Sequence, residues 1–140
     1  MTYSKTHPFP IHRTLVIGLA FFAFFMSALI SRSVFERLPH LEDEVAYLFQ
    51  AKVFERGNLV IESPTPRRAF WQPFVIYNSG NRFSKYTPGW SGLLSVGVNF
   101  GQPWLINALF AMLTVALTYR LGSDLFNRDV GLIASALEIG

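Results

Sequence analysis

The chain has 140 residues, the size of one ordinary domain, yet 51% of them are hydrophobic, 16% aromatic and only 15% charged, a balance that favours a membrane protein over a soluble one. The net charge of +3 comes from scattered basic residues rather than a Lys/Arg block, which argues against nucleic acid as a partner. The absence of cysteine excludes a disulfide framework, a thiolate nucleophile and a cysteine zinc site.

In chain order, residues 1–13 read as a short tail. The run from Thr14 to Ile30 carries no charge and, at about 1.5 Å per helical residue, nearly crosses a hydrocarbon core of about 30 Å. It is expected to be a transmembrane helix. A cleavable signal peptide is the competing reading, because Lys5 and Arg13 precede the apolar run. The run is long, no small-x-small cleavage pattern follows before Arg32, and further apolar segments come later, so an uncleaved anchor is preferred.

Next comes His40-Leu41-Glu42-Asp43-Glu44-Val45-Ala46-Tyr47-Leu48-Phe49-Gln50, which places three carboxylates just beyond the anchor. Pro39 prepares a helical start, and Glu42, Asp43 and Glu44 fall in a first turn, where free N–H groups and the helix dipole favour negative charge. Leu41, Val45, Leu48, Phe49 and Val53 follow the spacing of one apolar face, with Asp43, Tyr47 and Gln50 on another side. A juxtamembrane helix is expected, with Arg56 in its last turn and Gly57 just past its end.

This helix belongs to a long connection, residues 31–86. Pro64, Pro66 and Pro73 restrict its middle, and Asn78-Ser79-Gly80-Asn81 reads as a tight turn. Connections of this length carry function or are disordered, and the aromatic content argues against disorder. Phe70, Trp71, Phe74, Tyr77, Phe83, Tyr86 and Trp90 suit the headgroup layer of a membrane. Residues 88–121 are expected to form a helical membrane region in two pieces. Pro88 to Phe100 is short for a straight crossing and suits a re-entrant or interfacial helix. After a break at Gly101-Gln102-Pro103, Trp104 to Tyr119 makes a better span before Arg120. Gly97 and Gly101 are spaced for close helix packing. Residues 122–129 read as a polar link, and 130–140 as the start of a helix cut short. The fold class is therefore an all-α membrane protein with a long extracytoplasmic loop.

These residues resemble the C-superfold polytopic glycosyltransferases that use lipid-linked sugars, including protein O-mannosyltransferases and the aminoarabinose transferase of lipid A. The resemblance covers about Pro39 to Leu137. It rests on Asp43-Glu44, Ala46-Tyr47 and Gly57-Asn58-Leu59, then on Phe83-Ser84-Lys85-Tyr86-Thr87-Pro88-Gly89-Trp90, Pro103-Trp104-Leu105-Ile106-Asn107, and Tyr119-Arg120-Leu121 followed by Leu125-Phe126. A paired proline common in the family is Thr87-Pro88 here. The resemblance implies the N-terminal part of a cell-envelope enzyme that transfers a sugar from a polyprenyl-phosphate donor to a hydroxyl acceptor. Family members carry a second acidic loop and many more helices, so the isolated 140 residues are expected to be inactive.

Such chemistry needs a base for the acceptor hydroxyl and cations for the departing phosphate. Asp43 is the candidate base, although by itself it also reads as a helix-start carboxylate. Glu44 is the second catalytic candidate, orienting the acceptor or sharing a divalent cation, Mg or Mn, with Asp43, since hard oxygen ligands suit these ions. Lys85, Arg82 and Tyr86 are the substrate-binding candidates. They lie just before the second apolar stretch, where a cation meets a lipid phosphate or equally an ordinary anionic headgroup. Arg67-Arg68 reads as generic surface charge. His7, His12 and His40 form no ligand spacing.

Two other readings stay open, a small non-catalytic membrane protein whose loop binds a partner and a transporter fragment. Against transport, the first and third apolar runs hold no charged residue. Lys5 and Arg13 favour a cytoplasmic N-terminus in the plasma (inner) membrane, whereas residues 31–86 carry eight Lys/Arg against six Asp/Glu. Loops of this length follow the charge rule poorly, and the resembled enzymes keep the acidic loop outside the cytoplasm. The resulting topology is testable by replacing Asn58 with cysteine. An impermeant maleimide should label Asn58→Cys on intact cells, and labelling only after lysis would reverse the orientation.

Overall fold

The computed structural model describes residues 11–139. Lys5, His7 and most of the expected tail lie outside the described residues, as does Gly140. The elements are α1 (Ile11–Ser33), α2 (Glu42–Glu55), β1 (Ile61–Glu62), a 3-10 turn (Arg67–Phe70), β2 (Val75–Asn78), β3 (Asn81–Ser84), α3 (Pro88–Asn99), α4 (Leu105–Leu125) and α5 (Arg128–Leu137). They divide into two compact units. One holds the described residues up to Leu29 together with those from Asn107 onward, and the other is Ile30–Ile106.

The first unit takes in most of α1 and of α4, helices of 23 and 21 residues, or about 35 and 32 Å at 1.5 Å per residue. Both are long and apolar enough to cross a membrane. α1 begins at Ile11, three residues before the expected span, and runs three beyond it. A small cluster of Ala20, Ala23 and Val115 forms the buried centre, flanked by Leu19, Ala111, Met112 and Ile139. Phe21, Phe22, Phe25, Leu113 and Leu117 remain exposed, an outward apolar surface that water alone does not favour.

The region expected as a polar link at residues 122–129 is instead mostly helix. α4 continues to Leu125, and α5 starts at Arg128, two residues before the apolar run. Only Phe126 and Asn127 break the helix, because Asn127 caps α5 by accepting from the Val130 N–H at 2.9 Å. Two glycines permit this tight corner. A Cβ on Gly122 would stand 2.7 Å from the Gly131 Cα, and one on Gly131 would stand 2.6 Å from the Tyr119 carbonyl oxygen. His12 Nε2 lies 2.8 Å from Asp129 Oδ1 and links the starts of α1 and α5.

The second unit corrects the all-α expectation, since residues 61–84 contain a three-stranded antiparallel sheet in the order β1-β3-β2. The tight turn at Asn78-Ser79-Gly80-Asn81 closes the β2–β3 hairpin, with Asn78 paired to Asn81. Ser79 and Gly80 have φ of 48° and 82°, the left-handed pair whose twist suits a two-residue hairpin loop.

α2 packs on α3 and on β3, and only part of the expected face is buried. Leu41 and Val45 are exposed, while Ala46, Gln50, Ala51 and Val53 are buried. The buried residues of α3, Ser91, Leu94 and Gly97, fall at a helical repeat. Both α2 and α3 end as the sequence anticipates for glycine just past a terminus. Gly57 N–H bonds to Phe54 O and Asn58 N–H to Val53 O, while Gly101 N–H bonds to Val98 O and Gln102 N–H to Gly97 O, the paired pattern that satisfies the last helical carbonyls.

α3 has 12 residues, about 18 Å, which is too short for a crossing by itself. Gly97 is where the chain folds back on it. A Cβ there would stand 2.8 Å from both Pro103 Cα and Ile106 Cγ1. Gly97→Ala is therefore expected to lower stability by about 1–3 kcal/mol through overpacking. Gly92→Ala, where a Cβ meets nothing within 4 Å, is expected to raise it by up to about 1 kcal/mol through helix propensity. Thermal unfolding of the two variants in detergent should shift Tm in opposite directions. Equal shifts would show that Gly97 is not a close-approach position.

Candidate functional site

The start of α2 is built by local hydrogen bonding. Glu44 Oε2 accepts the backbone N–H groups of His40 at 2.9 Å and Leu41 at 3.3 Å, which satisfies donors that would otherwise have no helical partner. Leu41 has no side-chain acceptor to return, so only the Glu44 half of a capping box exists. His40 Nε2 lies 3.0 Å from the Phe35 carbonyl oxygen, and its ring meets the Phe35 ring edge-on. Glu44 thus fixes the chain before α2. Asp43 is left half-buried, with the Glu44 N–H donating to its Oδ1 at 3.0 Å and no cation paired with it among the described residues.

One turn along, at i+4, Tyr47 stands on the same side as Asp43. Its ring stacks on Tyr86 with centroids 4.4 Å apart and planes 25° from parallel. Phe74 meets Tyr86 edge-on at 5.7 Å. Phe74 holds φ at 62°, a left-handed conformation costing a bulky residue about 1–2 kcal/mol, and its carbonyl accepts the Lys85 N–H at 2.9 Å. Lys85 Nζ lies over the Phe74 ring at 3.9 Å and 5.0 Å from the Tyr86 centroid. No carboxylate among the described residues pairs with this ammonium, so aromatic faces hold it and its charge stays available to an external anion.

Gln50 sets the register of this assembly. Its Nε2 donates to the Leu59 carbonyl at 2.9 Å, and its Oε1 accepts the buried Ser84 N–H at 2.8 Å. Ser84 Oγ in turn accepts the Tyr86 N–H at 3.3 Å. The end of β3 is thereby tied to the middle of α2, which brings Tyr86 over Tyr47.

Of the residues named from sequence, Asp43, Tyr86 and Lys85 fall in one neighbourhood. Arg82 engages a different ring, with its guanidinium over Phe49 at 5.2 Å and its buried Nε without a hydrogen-bond partner. Tyr47 and Phe74 were not singled out as site residues. For Tyr47 the signal was available in its i+4 relation to Asp43; for Phe74 it was not, because a left-handed backbone brings that ring into place.

The structure adds no observation of its own in favour of a Mg or Mn ion shared by Asp43 and Glu44. Among the described residues no three of His, Cys, Asp and Glu converge. Asp43 and Glu44 are consecutive helical residues whose side chains diverge by about 100°, and both carboxylates already accept backbone N–H groups.

Burial raises the pKa of the Tyr86 phenol, and the negative charge of Asp43 raises it further, because both disfavour the phenolate. Tyr86 is accordingly a hydrogen-bond donor at neutral pH. Asp43→Asn removes the second cause and leaves the first, so the Tyr86 pKa should fall partway toward the ordinary value of about 10. Ultraviolet titration of the phenols, with Tyr86→Phe subtracted in each background, measures this. An unchanged Tyr86 titration would mean that the two groups do not interact.

No protein-family model, curated protein or solved structure gives a significant match to this chain.

Proposed function

We propose that the chain is part of a membrane glycosyltransferase that moves a sugar from a polyprenyl-phosphate donor to a hydroxyl acceptor. The observation that carries this reading is the meeting of Asp43, from the start of α2, with Tyr86 and Lys85, from the lead-in to α3, around the Tyr47 and Phe74 rings. Each part answers one need of the reaction. The Asp43 carboxylate takes the proton of the acceptor hydroxyl as its oxygen attacks the anomeric carbon. The Lys85 ammonium offsets the charge of the phosphate as the bond from the anomeric carbon to the phosphate oxygen breaks. Aromatic faces offer flat apolar surface against a sugar ring, and the Tyr86 hydroxyl donates to one of its oxygens.

Glu44 holds the backbone that presents Asp43, a positioning role rather than a catalytic one. Arg82 is set on Phe49 and is not assigned to the donor. No metal enters the scheme. Two further features support a membrane setting, the span-length α1 and α4 and their outward Phe and Leu side chains. In this reading the N-terminus is cytoplasmic, the membrane is the plasma (inner) membrane, and residues 31–86 are extracytoplasmic.

The test is steady-state transfer in membranes from cells making the natural gene product, with the lipid-linked donor varied. Asp43→Asn should lower kcat by about 10²–10⁴-fold, the contribution typical of a base. It should change stability by about 1 kcal/mol or less, because Asn also suits a helix start. Lys85→Ala should raise the donor KM before it affects kcat if the ammonium meets the ground-state phosphate. Wild-type kcat in a folded Asp43→Asn variant would return Asp43 to a structural role, and absence of sugar transfer by the unmodified gene product would overturn the proposal.

A further inference from the structure

A second set of side chains, sharing no residue with the Asp43 and Lys85 cluster, surrounds a concavity of about 440 Å³ lined by Arg67, Arg68, Trp71 and Tyr77. Arg67 and Arg68 open the 3-10 turn Arg67–Phe70 and both line the hollow, and the Tyr77 hydroxyl donates to the Phe70 carbonyl, holding this turn against β2. Both arginines are exposed, and no carboxylate among the described residues pairs with either. Two guanidiniums lining one hollow give it a positive potential that favours an anion. Their planar donor forks match phosphate oxygens better than any other common anion in a membrane setting.

The rim is apolar. Trp71, which lines the hollow, is 68% exposed, and Phe70, next to it in the chain, 48%. An indole left this open has carbon surface to bury and an N–H to keep wet, which is the preference of the headgroup layer. The volume lies in the range of small-ligand sites, about 300–1,000 Å³. Cations that grip phosphate, beside rings that accept hydrocarbon, describe a ligand with an ionic head and an apolar continuation.

We propose that Arg67, Arg68, Trp71 and Tyr77 form a binding site for the phosphate-bearing headgroup of an anionic phospholipid. The guanidiniums take the phosphodiester oxygens, and the Trp71 and Tyr77 rings cover the glycerol and the start of the acyl chains. The site fastens the turn before β2 to a lipid surface. It stands independently of the transferase reading, since neither Asp43 nor Lys85 lines it and sugar transfer is not its readout.

The experiment uses the full chain in a non-ionic detergent and follows the part of the tryptophan fluorescence that Trp71→Phe abolishes. The probes are dihexanoyl phosphatidylglycerol, dihexanoyl phosphatidylcholine and inorganic phosphate. Phosphatidylglycerol should produce a saturable change at lower concentration than phosphatidylcholine, and phosphate alone should compete weakly. The double variant Arg67→Gln with Arg68→Gln should weaken phosphatidylglycerol by about tenfold or more, the loss of one charge-assisted contact or better. Arg67→Lys with Arg68→Lys keeps the charge without the fork and should fall between, which also carries the test should the glutamine variant not fold. Equal affinity for the two lipids, or unchanged affinity in both double variants, would overturn the site. Saturation of the same signal by inorganic phosphate at the same concentration would overturn the assignment to lipid.

Discussion

The side-chain amide of Gln50 is the constraint on which the second unit depends. A polar residue at 4% exposure in the middle of α2 is costly unless its donor and acceptor are both met. Here one end meets the Leu59 carbonyl and the other the Ser84 N–H. Each bond contributes about 0.5–1.5 kcal/mol net, but their geometric effect is larger than that. They join the chain just after α2 and the last residue of β3 to a single point on the helix. Two well-separated points of the long connection are thereby held against one element. An apolar residue at this position would leave the buried Ser84 N–H unpaired, at a cost of about 1–3 kcal/mol.

From that tie the aromatic cluster follows. With Ser84 held, Tyr86 is two residues away from a fixed point and stacks on Tyr47. Phe74 closes the other side through its left-handed backbone, and Lys85 rests its ammonium on the rings. The cation is held without being neutralised, which distinguishes this arrangement from an ordinary ion pair. Asp43 completes the neighbourhood because Glu44, not Asp43, caps the chain before α2. Two adjacent carboxylates of the same chemistry are thus divided between different tasks by which backbone N–H groups each one meets.

Small residues supply the remaining constraint. Gly97 lets residues 102–106 fold back on α3, and the Gly122 and Gly131 pair lets α4 and α5 turn within two residues. In each case the backbone occupies space that a side chain would fill. Close backbone approach by small residues serves helices equally in water and in lipid.

Much was legible in the residues themselves. The uncharged run within α1, the acidic start of α2, the glycines past α2 and α3, Pro88 at the first turn of α3 and the Asn78–Asn81 turn are local signals. Their causes lie within a few neighbouring residues, in dihedral preference, capping and hydropathy. The sheet was not legible, because strands of two to four residues are too short for alternation to register. The face that α2 buries was read correctly at Val53 and misjudged at Leu41 and Val45, for a related reason. Leu41 and Val45 are the more hydrophobic residues, but Gln50 and the alanines are the ones that fit β3 and α3, and fit is a property of two surfaces. The extension of α4 through Ser123 and Asp124 likewise needed the close crossing at Gly131, which polar composition concealed. The meeting of the Asp43 and Tyr47 pair with Phe74, Lys85 and Tyr86 was decided by tertiary structure. Residues far apart in the chain meet only where a buried hydrogen bond and a reversed backbone angle bring them together, and no local preference encodes that meeting.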